Sequence, residues 1–231
     1  MLGIIGAMEE EVSKLKECME DVTVTKKAGM DFYKGILCKK EAVVVQSGIG
    51  KVNAAVCAQI LVDDFKVSAL INTGIAGSLK NEINIGDVVL SSDVLYHDMD
   101  AVSFGYALGQ VPRMEVLSFE ADQRLINLAK KSCEKVNPEI GIYVGRIVSG
   151  DQFVSSKEKK DWIHDNFNGY CTEMEGAAIA HTAYLNRIPF IIIRAISDKA
   201  DDSAHMDYPA FEALAIERSV KLMIEMVGGY Q

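Results

Sequence analysis

Short runs rich in Ile, Val and Leu alternate along the chain with longer segments whose apolar residues recur at helical spacing, and this predicts an α/β sheet flanked by helices. Strands are predicted over Leu2–Gly6, Ala42–Gln46, Ser68–Asn72, Asp87–Ser91, Ile140–Ser149 and Pro189–Ile196. Helices are predicted over Glu9–Met19, Val52–Asp64, Ala121–Val136, Lys157–Asn166, Met174–Asn186 and Pro209–Val227. Asp31–Cys38 and Ala42–Gln46, joined through the polar Lys39-Lys40-Glu41, read as an antiparallel hairpin, so the sheet is expected to be mixed. No proline-rich linker or internal repeat interrupts the pattern, and residues 1–231 are expected to form one domain. Tyr96–Ser118 shows no period and carries Gly105, Gly109 and Pro112, which predicts a long loop; such loops inside compact domains are more often functional than accidental.

With 49% apolar residues, a chain of this length has ample material for a buried core. Its 33 acidic and 24 basic residues leave a formal charge of −9, a field that repels phosphate backbones and anionic lipid, so neither nucleic acid nor a membrane is an expected partner. The apolar start Leu2–Ile5 meets Glu9-Glu10-Glu11 before a signal peptide could form, and no stretch approaches the roughly 20 apolar residues of a membrane span; a cytoplasmic location is expected. Cys18, Cys38, Cys57, Cys133 and Cys171 lie far apart, which suggests reduced thiols instead of a disulfide framework. His97, His164, His181 and His205 show no helix-borne ligand spacing, and no metal is expected.

Ligands of open α/β sheets collect at the carboxyl ends of strands, which directs attention to four places. Glu9, Glu10 and Glu11 follow the first strand; acids in a first helical turn complement the macrodipole by about 0.3–1 kcal/mol each, yet one of the three can point back over the strand end. Ser47-Gly48-Ile49-Gly50-Lys51 resembles a phosphate loop but fails its pattern, with Val45 at the first glycine position and Val52 in place of the hydroxyl residue after the lysine. Asn72-Thr73-Gly74-Ile75-Ala76-Gly77 is either a place where backbone approaches a ligand closely or a plain tight turn. Glu173-Met174-Glu175-Gly176 and Arg194-Ala195-Ile196-Ser197-Asp198 bring charge to a strand-to-helix junction and to the end of an apolar strand, where an internal ion pair with Asp198 as a cap is the alternative to chemistry.

Gly-Ala-Met-Glu-Glu-Glu at 6–11, Ser-Gly-Ile-Gly-Lys at 47–51, Asn-Thr-Gly at 72–74, Ser-Gly-Asp at 149–151, Glu-Met-Glu at 173–175 and Arg-Ala-Ile-Ser-Asp at 194–198 occur in this order. With them the chain resembles, over essentially its whole length, the 5′-methylthioadenosine/S-adenosylhomocysteine nucleosidases of the nucleoside phosphorylase superfamily. The resemblance implies a three-layer αβα sandwich around a mixed sheet, a homodimer, and release of adenine by water with no cofactor. It implies Asp198 as the acid that protonates adenine N7, Glu11 as the base that positions water, Glu175 as the group binding the ribose hydroxyls, and Arg194 as a support for Glu11 and the water. Ser197 and Ala200 would belong to the base site, Phe153 and Val154 would stack on and hydrogen-bond to adenine, and Met8, Ile49, Met174 and Tyr208 would line the ribose and 5′-thio pocket. Ala101, Phe104 and Pro112 match positions that reach into the neighbouring subunit's pocket. One departure is Ile75, where the family usually carries a hydroxyl residue, and a milder one is Tyr208 for Phe.

The implied chemistry is self-consistent. Adenine leaves poorly as an anion, so Asp198 must carry a proton near neutrality, well above the usual carboxylate range of about 3.9. A fixed Glu175 anion would stabilise the positive charge that develops on ribose, while water attacks from the opposite face as in inverting glycosidases. Three rivals remain: a phosphorylase using phosphate as nucleophile, a hydrolase for another 5′ group such as 5′-deoxyadenosine or an aminodeoxyfutalosine-type nucleoside, and an adenosine-binding protein without catalysis. Phosphate would meet Glu11 and Ile75 where it needs cations or hydroxyls, and a storage role needs no general acid.

Overall fold

The structure is a computed structural model that describes residues 1–230, the side chains of His205 and Met206 excepted. The sheet is built outward from β1 (Leu2–Gly6), which pairs in parallel with β4 (Lys40–Gln46) on one side and β5 (Ala69–Ser78) on the other. β4 runs antiparallel to β3 (Met30–Leu37), and β3 antiparallel to the edge strand β2 (Glu20–Lys27). Beyond β5 lies the parallel β10 (Phe190–Asp198), then antiparallel β6 (Val88–Tyr96), then β8 (Ile142–Ser149) parallel to β6. The short β9 (Cys171–Glu173) pairs with β8 in parallel and with β5 antiparallel, so β5, β10, β6, β8 and β9 close into a ring. β7 (Phe119–Glu120) adds to the outer part of β6.

Alternation along the strands feeds two cores, because successive side chains point to opposite faces. Ile5, Val43 and Val45 face one layer with α2 (Lys51–Asp63) and α5 (Gly176–Asn186), through residues such as Leu61 and Ile179. Leu2, Ile4 and Val44 face the other, with α1 (Glu9–Glu17), α3 (Gln123–Val136) and α6 (Ala204–Gly229), through Leu15, Ile126 and Met223. A smaller cluster of Leu95, Val148, Ile163 and Phe167 seats α4 (Lys157–Phe167). The expected three-layer αβα sandwich with a mixed sheet is what forms, with ring closure as an added feature. Among the described residues no helix is long and apolar enough to cross a membrane.

Three differences from the sequence expectation have physical causes. β5 runs six residues past Asn72, through the glycine-rich stretch read as either a close approach to a ligand or a tight turn, because β10 pairs with it along almost its whole length. Its polar side chains are satisfied inside the protein: Asn72 Nδ2 donates to the Ile5 carbonyl at 2.9 Å, and Thr73 Oγ1 lies 2.6 Å from Ser219 Oγ. β2 escaped notice because every one of its residues is exposed, so it shows no buried alternation; its charged residues suit an open edge. α6 starts five residues ahead of Pro209, which sits inside the helix and not at its first position. The loop expected between Tyr96 and Ser118 is present, with one short 3₁₀ turn at Val102–Phe104.

Candidate active site

The carboxyl ends of β1, β5, β9 and β10 surround a cavity of about 330 Å³, a volume in the range of small-molecule sites. Glu11 enters it from the first turn of α1. Glu9 and Glu10 are exposed and Glu9 pairs with Lys16 at 2.6 Å, whereas Glu11 is buried and points back over the end of β1. Its Oε2 accepts from the Ala7 N–H at 2.7 Å and the Met8 N–H at 3.0 Å, and its Oε1 accepts from the Ile75 N–H at 3.2 Å. Burial pushes its pKa up against the opposing pull of Arg194 and these three N–H groups.

Asp198 arrives at the cavity through a bulge. The register of β10 against β5 shifts between Ile196 and Asp198, and as a result the consecutive Ser197 and Asp198 both line the cavity where regular pleating would separate them. Asp198 Oδ1 accepts from the Ala200 N–H at 2.8 Å and Oδ2 from Ser197 Oγ at 2.8 Å. Burial raises its pKa above the ordinary 3.8; these two hydrogen bonds oppose the shift, while Asp207 and Asp201 add to it.

The third acid, Glu175, precedes α5. Its Oε1 accepts from the Gly50 N–H at 2.8 Å, so the Ser47–Gly50 turn holds it from across the cavity. Burial first, and the neighbouring Glu173 second, push its pKa up to about 7. Glu173 is the opposite case: it is buried yet held below the usual carboxylate range, because Arg194, Ser149 Oγ and the Gly176 N–H outweigh desolvation. Arg194 is 1% exposed and donates to Glu173, to Asn72 Oδ1 at 2.5 Å and to the Ile193 carbonyl at 3.2 Å, with Glu175 Oε2 at 3.9 Å.

Two glycines of β5 make this crowding possible. A Cβ on Gly74 would lie 2.6 Å from Glu11 Oε1 and 3.0 Å from Arg194 Nη1, and a Cβ on Gly77 would lie 2.7 Å from Asp198 Oδ1. The stretch read as a possible ligand approach is therefore a strand that approaches catalytic-type side chains.

Of the residues singled out in the sequence, Met8, Glu11, Ile49, Ile75, Phe153, Val154, Met174, Glu175, Ser197, Asp198 and Tyr208 all line the one cavity. Arg194 lies beneath the lining; its hydrogen bonds go to Glu173, Asn72 and the Ile193 carbonyl, its positive charge favours the ionised form of Glu11, and its ion pairs among the described residues are with Glu173 and Glu175 in place of the alternative pair with Asp198. Ala200 is fully buried off the cavity surface and contributes its N–H to Asp198. Ala101, Phe104 and Pro112 line no part of this chain's own cavity; Ala101 is buried, Pro112 exposed, and Phe104 84% exposed. Ile75 brings no hydroxyl but serves Glu11 through its N–H, a contact indifferent to its side chain. Tyr208 places its hydroxyl 3.5 Å from Met8 Sδ and 3.1 Å from Glu212 Oε1, and its ring meets Phe153 edge-on at 5.9 Å. Glu173, Thr172, Gln152, Ala7, Ala76 and Gly77 also line the cavity and had no role assigned from sequence. The signal for Glu173 was the Glu-Met-Glu pattern itself, which puts two carboxylates on one side of an extended chain.

A ring-closed mixed sheet with three acids at its strand ends defines a class of base-cleaving enzymes: the family model of the phosphorylase superfamily matches residues 1–228, and the chain belongs to that superfamily. Within it the chain falls among the 5′-methylthioadenosine/S-adenosylhomocysteine nucleosidases. It is 43% identical to the nucleosidase of Staphylococcus carnosus (strain TM300) over 228 residues, 98% of this chain and 99% of the relative. The structure of the Neisseria meningitidis nucleosidase in complex with methylthio-immucillin-A superimposes with a TM-score of 0.95 at 40% identity, covering 99% of each chain. The futalosine hydrolase of Helicobacter pylori strain 26695 superimposes with a TM-score of 0.93 at 33% identity, covering 99% of this chain and 97% of that one.

Removing Arg194 leaves Glu173 buried without its counter-charge. Arg194→Met should therefore cost about 3–5 kcal/mol in urea unfolding, and the double variant with Glu173→Gln should cost less than the sum of the two single losses. A loss below about 1 kcal/mol for the single variant would contradict the pairing.

Proposed function

We infer that the chain is an N-glycosyl hydrolase acting on 5′-methylthioadenosine and S-adenosylhomocysteine, releasing adenine and the 5′-substituted ribose. The observation that carries the reading is the cavity lining: four buried acids, Glu11, Glu173, Glu175 and Asp198, among apolar groups and, among the described residues, no lysine, arginine or histidine. Phosphate would have no cation to bind there, whereas a neutral nucleoside and a water molecule suit it. Met8, Ile49, Ile75 and Met174 supply the apolar surface a thioether needs, and the likeness to the futalosine hydrolase of Helicobacter pylori makes a futalosine-type nucleoside the second reading.

In this reading Asp198, whose pKa burial raises, gives its proton to adenine N7 as the C1′–N9 bond breaks, so the bonding pair leaves on a neutral base. Positive charge spreads over the ribose, where the Glu175 carboxylate accepts the hydroxyls and stabilises the cation more than the neutral substrate. Water attacks C1′ and passes its proton to Glu11, which three backbone N–H groups fix in place. Phe153 and Val154 hold the base and Ser197 orients Asp198 through its 2.8 Å hydrogen bond. Arg194 acts from below, through Glu173. We place the enzyme in the cytoplasm, where its five free cysteines stay reduced. We further read it as a homodimer in which Ala101, Phe104 and Pro112 complete the partner's 5′ pocket; the 84% exposure of Phe104 supports this, since so large an apolar side chain gains from being covered.

The test is adenine release from 5′-methylthioadenosine, S-adenosylhomocysteine and adenosine, with and without phosphate. Phosphate-independent release with the 5′-thio compounds preferred is expected, and release that requires phosphate would overturn the reading. Asp198→Asn should lower kcat by about 10²–10⁴-fold for want of the proton, and near-normal turnover by this variant would remove Asp198 from its role. Because Glu175 must be ionised to act and its pKa lies near 7, kcat/KM should fall as pH drops below about 7; Glu175→Gln should abolish that limb along with most activity.

A further inference from the structure

The Ser47-Gly48-Ile49-Gly50-Lys51 turn has one residue that the chemistry above does not use. Lys51 neither lines the cavity nor touches an acid in it, yet its backbone follows directly on the N–H that holds Glu175. Three segments meet at this lysine. Its Nζ donates to Asp98 Oδ2 at 2.7 Å, at the base of the Tyr96–Ser118 loop, and lies 3.8 Å from Asp151 Oδ2, after β8. The Lys51 N–H donates to Asp151 Oδ1 at 2.9 Å, and the Asp151 N–H donates to Asp98 Oδ2 at 3.0 Å. The ammonium sits 5.4 Å from the centroid of the Tyr96 ring.

We propose that Lys51 is a positioning residue: with Asp98 and Asp151 it ties the turn that holds Glu175 to the segment carrying Phe153 and Val154 and to the loop carrying Ala101 and Phe104. The geometry gives the tie little slack. Gly50 has φ +96°, and a Cβ there would lie 3.2 Å from Asp151 Oδ1, so the turn and the Asp151 segment are closely apposed next to the N–H that Gly50 donates to Glu175. The side chains are partly buried, at 24% exposure for Lys51 and 16% for Asp98, which screens them less than an open surface pair. Burial pushes the Asp98 carboxyl up, but the hydrogen bonds from Lys51 and Asp151 outweigh it and hold the group below its ordinary range. Asp98 is therefore an anion in place to receive the ammonium. Any cover that the neighbouring subunit gives the loop would pass, through Asp98 and Lys51, to the carboxylate that binds ribose.

The inference rests on the ribose-binding role read for Glu175, and its test separates the two. Lys51→Met keeps the apolar stem without the charge, Lys51→Arg keeps the charge, and Asp98→Asn removes the other end of the tie. With 5′-methylthioadenosine, Lys51→Met and Asp98→Asn should each lower kcat/KM by about 10-fold, through a higher KM together with a lower kcat, and should move the acidic limb of kcat/KM to higher pH as Glu175 loses the Gly50 N–H; Lys51→Arg should restore most of both. In a Glu175→Gln background the Lys51→Met effect on KM should largely vanish, because its route is gone. Unchanged KM and pH limb, or the same KM rise with and without Glu175, would overturn the proposal. Amide hydrogen exchange at Gly50, read without substrate, should speed by about 10-fold in Lys51→Met. Unchanged exchange there contradicts the tie, whereas a wild-type protein that releases no adenine contradicts only the functional reading.

Discussion

The site depends on one buried ion pair. Arg194 reaches the interior from the middle of β10 with almost no exposure, and taking such a charge out of water costs several kcal/mol unless anions and acceptors meet it. Glu173, Asn72 and the Ile193 carbonyl do so, and their arrangement sets apart the protonation of Glu173 and Glu175. Glu173 takes the guanidinium and stays ionised. Glu175, two residues on, is buried and then faces a fixed negative neighbour with only a distant share of the same cation; burial first and Glu173 second raise its pKa. Asp198 lies outside this arrangement, held by the Ala200 N–H and Ser197 Oγ, and burial raises it. One cation beneath Glu11, Glu173 and Glu175, together with burial, thus separates a carboxylate that stays charged from others whose pKa is raised, the pattern on which the proposed acid and base roles rest.

A second constraint is room. Carboxylates can crowd at the ends of β1 and β10 only because β5 between them offers glycines, with Gly74 under Glu11 and Gly77 under Asp198. Any side chain at either position would occupy the space of a functional oxygen. The bulge before Asp198 solves the complementary problem of aim, since an unbroken pleat would have turned either Ser197 or its neighbour away from the cavity. Backbone N–H groups finish the work for Glu11 and Asp198, which is why Ile75 can stand where the family usually has a hydroxyl residue without disturbing Glu11.

Much of this was legible in the sequence, for reasons that differ by residue. Leu2–Gly6 and Phe190–Ile193 announce themselves as strands because both faces are buried and the runs are apolar throughout, and eleven of the residues singled out, from Met8 to Tyr208, line the same cavity. What stayed hidden depends on long-range partners. Asn72–Gly77 has the composition of a turn, and only pairing with β10 makes it a strand. Arg194 could be seen as charged at an apolar strand, but its partner is 21 residues away in sequence on β9, a strand too short to show a pattern. Ala200 matched the base site by position, while its left-handed φ of +52° turns it inward so that it serves Asp198 through its backbone. The loop from Tyr96 to Ser118 was recognised by its lack of period, yet its anchorage at Asp98 by Lys51 could not be read from composition.

Acid-assisted release of adenine depends on burial lifting the Asp198 carboxyl above the ordinary aspartate range, so that it can supply a proton. A carbon-13 NMR titration of the aspartate carboxyl groups tests it most directly, with the Asp198 resonance assigned as the one lost in Asp198→Asn. The account predicts that this resonance titrates well above the ordinary 3.8 in the wild-type protein. Titration at or below 3.8 would show a carboxylate already ionised at neutral pH, and the proton for adenine would have to come from another group.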